Sequence, residues 1–339
     1  MLLFPNQAGT LVCAVLIAAP ALCAQAAPAK QWFKGNTHTH TMNSPDGDAT
    51  LVDVANWYRQ NNYNFIVITD HNSRTDVEEA NKLLGQPGRF LLIPGEEVTD
   101  RFDQKEVHLS AIGIRETVVP RHGESVAKEI CADRKAIAES AGIAVLNHPN
   151  YTWAVEARDI LACGDLLLFE VQNGSWSVGN FGAFGTPSHE ELWDAVLSAG
   201  KRLYGVGSDD SHNFHQYVRG YPYPPTVPGT AWINVRASRL DPEAIRDGLM
   251  RGDFYASNGV ALDDVGVVGK TIRISIHVFG ENRYTTTFIG AGGRVLARTA
   301  DVNPAYTIQG SEKYVRARIQ DSTGHYAWTQ PVFVQDIPR

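Results

Sequence analysis

Short apolar runs, many of them rich in β-branched residues, alternate with amphipathic segments up to about residue 210. The apolar runs predict buried strands, because a strand covered on both faces shows no polar alternation. These strands are predicted at residues 32–40, 65–69, 90–93, 107–114, 143–146, 165–171 and 203–206. Helices are predicted between them at residues 48–60, 77–84, 124–141 and 188–199. This alternation, with about seven strands, indicates an α/β fold with a parallel sheet and is typical of a (β/α) barrel.

Beyond residue 212 the pattern changes. Residues 213–229 are rich in Tyr, Pro and Gly and predict a long functional loop or lid, followed by a strand at 231–235 and a helix at 241–250. From about residue 266, alternating apolar and polar positions predict strands at residues 271–279, 284–289, 294–298, 314–320 and 331–335. We therefore expect two units: residues 30–260, and a small C-terminal antiparallel β unit at 265–339, packed on the first or semi-independent.

The N-terminal segment predicts a secretory signal peptide at residues 1–26. An apolar run at residues 11–24 is followed by Ala24-Gln25-Ala26, which fits the small-x-small cleavage rule, although no Lys or Arg precedes the run. A membrane anchor is the alternative, but Pro20 breaks the short run, so we expect no stable anchor. The expected location is therefore periplasmic or secreted.

Composition and charge restrict the partners. The chain has 339 residues, of which 43% are hydrophobic and 20% charged, as in ordinary globular proteins. Its formal net charge is −7 and it has no basic run, so nucleic acid is not an expected partner. Cys131 and Cys163 remain after removal of the signal peptide. They form either one disulfide in an oxidising compartment or two buried free thiols.

Histidine, aspartate and glutamate residues gather at or just after the ends of the predicted strands. His38 and His40 are two positions apart, so both side chains face the same way on an extended segment. In barrels, the carboxyl ends of the strands form the active-site face, so clusters distant in sequence are expected to converge there. The candidate metal ligands are His38, His40, Asp46, His71, Glu97, His108, His148, Asp210 and His212.

The chemistry of this set points to divalent transition metals. Imidazoles and carboxylates without a thiolate suit Zn, Mn or Fe, and nine ligands exceed what one ion needs. We therefore expect two or three divalent metal ions that share a bridging carboxylate. Asp210 and His212 are two positions apart, so their side chains can face the same way on an extended segment, whereas the side chain of Asp209 faces away. The same alternation of side chains does not decide between Glu96 and Glu97.

Taken together, the motifs resemble the polymerase and histidinol phosphatase (PHP) metallohydrolases over about residues 33–260. The matching segments are His38-Thr39-His40-Thr41, Ser44-Pro45-Asp46-Gly47, Ile68-Thr69-Asp70-His71-Asn72, Pro94-Gly95-Glu96-Glu97-Val98-Thr99, His108, His148-Pro149 and Ser208-Asp209-Asp210-Ser211-His212. The resemblance implies a distorted (β/α)7 barrel, a bridging Glu97, a final ligand pair of Asp210 and His212, and a phosphate ester substrate. The insertion of Pro45 before Asp46 departs from the family pattern.

Three C-terminal segments resemble a secreted branch of that family that includes carbamate-ester hydrolases. They are Trp232-Ile233-Asn234, Phe254-Tyr255-Ala256-Ser257-Asn258-Gly259 and Ala327-Trp328-Thr329-Gln330-Pro331. The leading prediction is a phosphomonoesterase or phosphodiesterase. The alternatives are a carbamate, amide or carboxylic ester hydrolase, and a metal-binding module without catalysis.

The remaining candidates concern catalysis and a small-molecule ester substrate. Asp70, next to His71, is a candidate for orienting an imidazole. His215, Arg219 and Arg158 are candidates for holding a phosphoryl oxygen, with solvated surface as the alternative. An aromatic wall for a ring-shaped leaving group, with ordinary loop packing as the alternative, would comprise Trp153, Trp176, Phe181, Phe184 and Tyr217.

Overall fold

The computed structural model describes residues 1–2, 30–215 and 224–337. Most of the predicted signal peptide, together with Tyr217 and Arg219, therefore lies outside the described residues. No helix in the described part of the chain combines the length and apolar character needed to cross a bilayer.

Strands and helices alternate in the first two thirds of the chain, and strands dominate the last third. The strands are β1 Gln31–Asn36, β2 Phe65–Ile68, β3 Leu91–Phe102, β4 Lys105–Ile112, β5 Ile143–Leu146, β6 Leu168–Asn173, β7 Tyr204–Ser208, β8 Trp232–Ala237, β9 Phe254–Ser257, β10 Leu262–Val268, β11 Thr271–Ile276, β12 Tyr284–Gly290, β13 Arg294–Thr299, β14 Ala305–Thr307, β15 Tyr314–Asp321, β16 Tyr326–Thr329 and β17 Val332–Phe333. The helices are α1 Leu51–Gln60, α2 Glu78–Leu84, α3 Val126–Glu139, α4 Ala157–Ala162, α5 His189–Ser198 and α6 Pro242–Arg251. The prediction of an α/β fold is confirmed.

Local side chains define where several helices begin. Thr50 accepts a hydrogen bond from the backbone N–H of Asp53 at the start of α1. At the start of α5, Ser188 and Glu191 form a reciprocal capping box. These contacts satisfy N–H groups that have no partner within the helix, which is why the helix starts could be predicted closely.

The sheet is mixed, so the expectation of a parallel sheet is wrong for part of it. Strands β1, β2 and β3 are parallel neighbours, as are β5, β6 and β7, but β4 runs antiparallel to both β3 and β5. The reason is a tight hairpin: β3 continues beyond its predicted end at residue 93 to Phe102 and turns back at once into β4. Asp103 takes a left-handed conformation (φ 55°) in this turn.

The segments that follow β1 and β7 meet, although these two strands share no ladder in the described sheet. Thr39 and Ser211 form an isolated parallel bridge. The N–H of His40 donates to the Ser211 carbonyl at 2.9 Å, and the N–H of Asp210 donates to the His38 carbonyl at 2.9 Å. The ends of the first and seventh strands therefore lie side by side, and both carry predicted ligands.

The C-terminal strands extend the main sheet rather than forming a wholly separate one. Strand β16 pairs with β9, and β12, β13 and β15 continue the sheet outward from it. Strands β10, β11 and β14 form a separate antiparallel sheet of three strands. The predicted strands near residues 284, 294 and 314 are confirmed by β12, β13 and β15, whereas β10, β14 and β16 were not predicted. The unit boundaries 30–260 and 265–339 stay predictions.

The helical layer over the sheet contains one element that the sequence pattern missed and one question that it left open. Helix α4 was not predicted, because its six residues are too few for a periodic pattern. Cys131 and Cys163 are both free thiols, the second of the two alternatives. Burial and the neighbouring Cys131 raise the pKa of the Cys163 thiol to about 12.

A buried arginine joins the C-terminal strands to helix α5. Arg316 on β15 is 1% exposed and binds the Asp194 carboxylate at both oxygens, with distances of 2.8 and 2.7 Å. Glu190 contacts the same guanidinium at 3.0 Å, and Tyr314 donates to Asp194 at 2.8 Å. Since Trp193 of α5 also packs against Phe169 of β6, this ion pair links the C-terminal strands to the first part of the chain.

We expect Asp194→Asn to lower the free energy of unfolding by about 3 kcal/mol, because it leaves the buried Arg316 charge without its bidentate partner. Urea unfolding followed by circular dichroism measures the change. Arg318→Ala is the control, since Arg318 pairs with Glu190 in a partly exposed position and should cost less than about 1 kcal/mol. Equal losses in the two variants would contradict the role given to Asp194.

Candidate metal centre

The structure brings all nine predicted ligands together at one end of the sheet. Their ring nitrogens and carboxylate oxygens form one network, in which neighbouring atoms are 2.9 to 4.0 Å apart. His38, His40, Glu97 and Asp210 are almost fully buried, whereas Asp46 is exposed at the mouth. The convergence expected from the strand ends is therefore observed, and metal binding by these residues stays a prediction.

Strand direction explains how His108 reaches this end of the sheet although it lies early in its strand. In the β3–β4 hairpin, His108 pairs with Thr99, two residues beyond Glu97. Because β4 runs antiparallel, its beginning lies at the same end as the ends of the parallel strands. The backbone N–H of Asn147 donates to the His108 carbonyl, which places the following His148 beside it.

Glu97 is the central carboxylate. Its Oε1 atom lies 3.3 Å from His38 Nε2, 3.1 Å from His108 Nδ1 and 3.2 Å from His148 Nε2. Its Oε2 atom lies 2.9 Å from His71 Nδ1. The two oxygens thus face different imidazoles, which is the arrangement that a bridging carboxylate requires.

Neighbouring carboxylates point away from the centre, which resolves two choices. Glu96 accepts the N–H of Val118 at 2.9 Å, and burial raises its pKa to about 7. Asp209 accepts hydrogen bonds from the Tyr58 hydroxyl and the Thr230 N–H at 2.8 and 2.7 Å. The structure therefore places Asp210 rather than Asp209 among the imidazoles, as predicted, although Asp210 follows the end of β7 in a left-handed conformation (φ 50°) and not in an extended strand. It likewise places Glu97 rather than Glu96 there.

Three overlapping groups have the spacing of a metal site, with ligand atoms that lie within 4.8 Å of one another. The groups are His40, Asp46, His71 and His212; His38, His40 and Asp210; and His38, Glu97 and His148. Since His38 and His40 belong to two groups each, ions held there would be neighbours. Glu97 and Asp210 are placed to bridge them.

The hydrogen bonding of the imidazole nitrogens shows whether these residues fit a metal ion. The Nε2 atoms of His38, His40 and His212 are buried and have no hydrogen-bond partner in the described structure. The opposite nitrogens are held: His38 Nδ1 lies 2.8 Å from Glu170 and His40 Nδ1 lies 2.9 Å from Ser44. A ring that is fixed at one nitrogen and bare at the other is typical of a metal ligand, so the donor set fits divalent cations.

Sequence reasoning missed the residues that orient these rings. Glu170 on β6 holds His38 Nδ1 and also accepts the N–H of His148 at 2.7 Å. Thr99 contacts His71 Nδ1 through its hydroxyl at 2.6 Å. The sequence indicates Glu170, because a carboxylate within the otherwise apolar segment Leu168-Phe169-Glu170-Val171 is unusual. It does not indicate Thr99, since threonine is common in strands.

The residues predicted for catalysis and for phosphoryl binding differ in where the structure places them. The Asp70 carboxylate accepts hydrogen bonds from the Thr41 N–H and hydroxyl at 2.6 and 2.8 Å, so it holds the loop after His40 rather than an imidazole. His215 lines the cavity and contacts Asp53 at 3.6 Å. Arg158 is exposed and pairs with Glu156, outside the cavity. Arg219 lies outside the described residues.

A cavity of about 500 Å³ opens onto the cluster. Its wall combines Tyr151 and Trp176 with Val178 and the prolines at 45, 224 and 225. Of the predicted aromatic wall, Trp176 lines the cavity, whereas Phe181 and Phe184 are exposed and do not. Among the described lining residues there is no Lys or Arg. Within the described wall, the negative charge of a ligand could therefore be balanced by imidazoles such as His215 or by cations bound at the cluster.

Burial and crowding of opposite charges govern protonation of the cluster. Burial by itself lowers the pKa of His71 and His108, but the Glu97 carboxylate more than offsets this and raises them to about 10 and about 9. The facing imidazoles hold the pKa of Glu97 and of Asp210 well below their usual range, despite burial. Without metal, Glu97 and Asp210 are thus ionised and His71 and His108 are protonated at neutral pH, whereas burial lowers the pKa of His40 to about 4 and keeps this imidazole neutral.

Comparison with solved structures places this arrangement in a known fold. A two-domain protein from Bacteroides vulgatus that contains a predicted PHP-like metal-dependent phosphoesterase aligns with a TM-score of 0.50 and 15% identity, over 86% of this chain and 90% of that one. This chain shares its fold.

Two further structures align less well. A candidate metal-dependent phosphoesterase from Bifidobacterium adolescentis gives a TM-score of 0.41 at 15% identity, over 64% of this chain and 96% of that one. An amidohydrolase from Chromobacterium violaceum with bound sulfate gives 0.38 at 16% identity, over 57% and 93%. No family model and no curated protein matches the chain.

Metal binding at pH 7 should release at least about one proton per chain, because imidazoles with a raised pKa are protonated there and must lose the proton to bind a cation. The release should fall as the pH approaches about 10, where His71 is already losing its proton. Calorimetric titration of metal-free protein with Zn²⁺ or Mn²⁺, in two buffers of different ionisation enthalpy, measures the release. Identical apparent enthalpies in both buffers would contradict it.

Glu170→Gln should weaken metal affinity by about 10- to 100-fold, because the neutral amide no longer raises the basicity of His38 or fixes its ring as firmly. Competition with a chromogenic chelator measures the affinity. Glu116→Gln makes the same chemical change at an exposed position and should leave the affinity unchanged. An unaltered affinity in Glu170→Gln would remove the orienting role.

Proposed function

We propose that this chain is a metal-dependent hydrolase of the PHP family that cleaves phosphate esters. The observation that carries the proposal is the Glu97-centred cluster, in which His38, His40 and His212 have buried Nε2 atoms without hydrogen-bond partners in the described structure, and Glu97, Asp210 and His212 line a cavity. Leaving such buried groups unpaired costs free energy, and a bound ligand removes that cost. The order of the sequence motifs and the shared fold support the same family.

We further propose that strands β1 to β7 form the distorted (β/α)7 barrel of that family, with the C-terminal strands as an appended unit. The support is the meeting of the segments after β1 and β7, at the Thr39–Ser211 bridge. Residues 1–26 are proposed as a signal peptide, which would place the enzyme in the periplasm or outside the cell.

Divalent ions at the cluster would lower the pKa of a water molecule and neutralise charge that develops on the ester oxygen. The chain's own residues supply the frame for this chemistry. Glu170, Ser44 and Thr99 hold three of the imidazoles at their Nδ1 atoms. Asn147 donates to Glu97 Oε1 at 2.8 Å and fixes the bridging carboxylate. Tyr151 and Trp176 form the apolar side of the cavity, where an ester's organic group would lie and exclude water.

The bond type has a second candidate, favoured by a specific observation. Because no Lys or Arg is among the described residues of the cavity wall, a substrate with little charge would fit it as well as a phosphate would. A carbamate, amide or carboxylic ester with a ring-shaped leaving group meets this condition. Among phosphates, a singly charged diester is easier to accommodate than a doubly charged monoester.

Turnover of a panel of substrates by Zn- or Mn-loaded protein distinguishes these candidates. The panel comprises nitrophenyl phosphate, bis-nitrophenyl phosphate, naphthyl carbamate and nitrophenyl acetate. We expect the phosphodiester to turn over fastest. Carbamate or acetate turnover without phosphate turnover would overturn the phosphoesterase assignment. Bound metal without hydrolysis of any substrate would favour a non-catalytic module.

His40→Ala and Asp210→Ala should each reduce both metal content and turnover, with kcat/KM falling by more than about 100-fold, because His40 belongs to two of the three groups and Asp210 faces both His38 and His40. His277→Ala is the matched control, since this imidazole is exposed and pairs only with Asp263 in the described structure. Full activity in both cluster variants would refute the ligand assignment.

A further inference from the structure

A second group of buried carboxylates lies between strand β3 and helix α3. Asp100 belongs to β3, and Glu129 and Asp133 lie on the buried face of α3. Their exposed fractions are 4%, 0% and 0%, whereas the neighbouring His122 is largely exposed. Asp100 has the opposite parity to Glu97, so its side chain faces the helix and not the centre described above. The group is therefore distinct from that centre.

Backbone groups satisfy only part of these carboxylates. Asp100 Oδ2 accepts the N–H of His122 at 3.0 Å, and its Oδ1 lies 2.6 Å from His122 Nδ1. Glu129 Oε2 accepts the N–H of Gly123 at 3.2 Å, but its Oε1 has no partner within the described structure. Asp133 likewise has one oxygen bound to the N–H of Arg121 and one without a partner.

The one side chain that can form an ion pair with this group, among the described residues, is the His122 imidazole. In residues 30–215 and 224–337, no Lys or Arg side chain forms an ion pair with any of the three carboxylates; Arg121 pairs with Glu139 instead. Glu129 and Asp133 are four residues apart on one helix face, where like charges repel. Burial and the nearby Asp100 raise the pKa of Glu129 to about 7, and burial raises that of Asp133 to about 6. Either protons or a cation must therefore balance the charge near neutral pH.

We propose that Asp100, His122 and Glu129 bind a further divalent cation that ties the end of β3 to the start of α3. One ligand atom of each residue lies within 4.8 Å of the other two. The imidazole in the set favours Zn²⁺ or Mn²⁺ over Ca²⁺, which prefers oxygen ligands alone. Glu129 is fully buried and its bare oxygen is the group that most needs the ion, while the exposed His122 provides access from solvent.

The metal-to-protein ratio after equilibrium dialysis against Zn²⁺ or Mn²⁺ tests this site. His122→Gln and Glu129→Gln should each lower the ratio by about one ion per chain relative to the wild type, with ester turnover unchanged. Glu139→Gln, an exposed carboxylate on the same helix, is the matched control and should keep the wild-type ratio. Metal should also raise the melting temperature less in the two site variants than in the control.

Equal ratios in wild type and His122→Gln would overturn the proposal and show that the carboxylates share protons instead. Since His122 is largely exposed, its replacement should fold even where Glu129→Gln does not. The test compares the metal-to-protein ratios of the variants and does not depend on the absolute number of bound ions. It is therefore valid whether the main centre holds two ions, three or none.

Discussion

A buried carboxylate, Glu97, surrounded by imidazoles sets the main constraint on this structure. With 1% exposure and four ring nitrogens within 3.3 Å, its charge must be balanced locally, since an unpaired buried ion costs several kcal/mol. The imidazoles can balance it either by holding protons or by sharing cations with it. The buried Nε2 atoms of His38, His40 and His212, which have no hydrogen-bond partner in the described structure, favour cations over protons and thus a metal centre over a packed polar core.

The scaffold serves this constraint by bringing the ends of distant strands to one edge. Parallel strands contribute residues just after their last hydrogen-bonded position, and the antiparallel β4 contributes His108 from its beginning. Carboxylate and hydroxyl groups on the strands then contact the imidazole rings at their Nδ1 atoms and fix their orientation. Glu170 and Thr99 are two of these groups. Away from the cluster residues, the Arg316–Asp194 pair connects helix α5 to the C-terminal strands and stabilises the fold there.

The two groups of buried carboxylates show how context decides what acidic residues do. Glu97 and Asp210 face many imidazoles and have a lowered pKa, so they are ionised at any ordinary pH. Glu129 and Asp133 form no ion pair in the described structure, and burial raises the pKa of both. In the first group, cations would replace protons on the imidazoles. In the second, a cation would replace protons on the carboxylates.

Local patterns in the sequence determined most of the strands and helices and the starts of several helices. Thr50 and Ser188 mark the starts of their helices by hydrogen bonds to residues three positions further along the chain. Only the tertiary structure decided the reversal of β4, the joining of β16 to β9 and the partnership of Glu170 with His38, a contact across 132 positions. Strand direction and pairing depend on contacts between distant segments, and local periodicity carries no information about them.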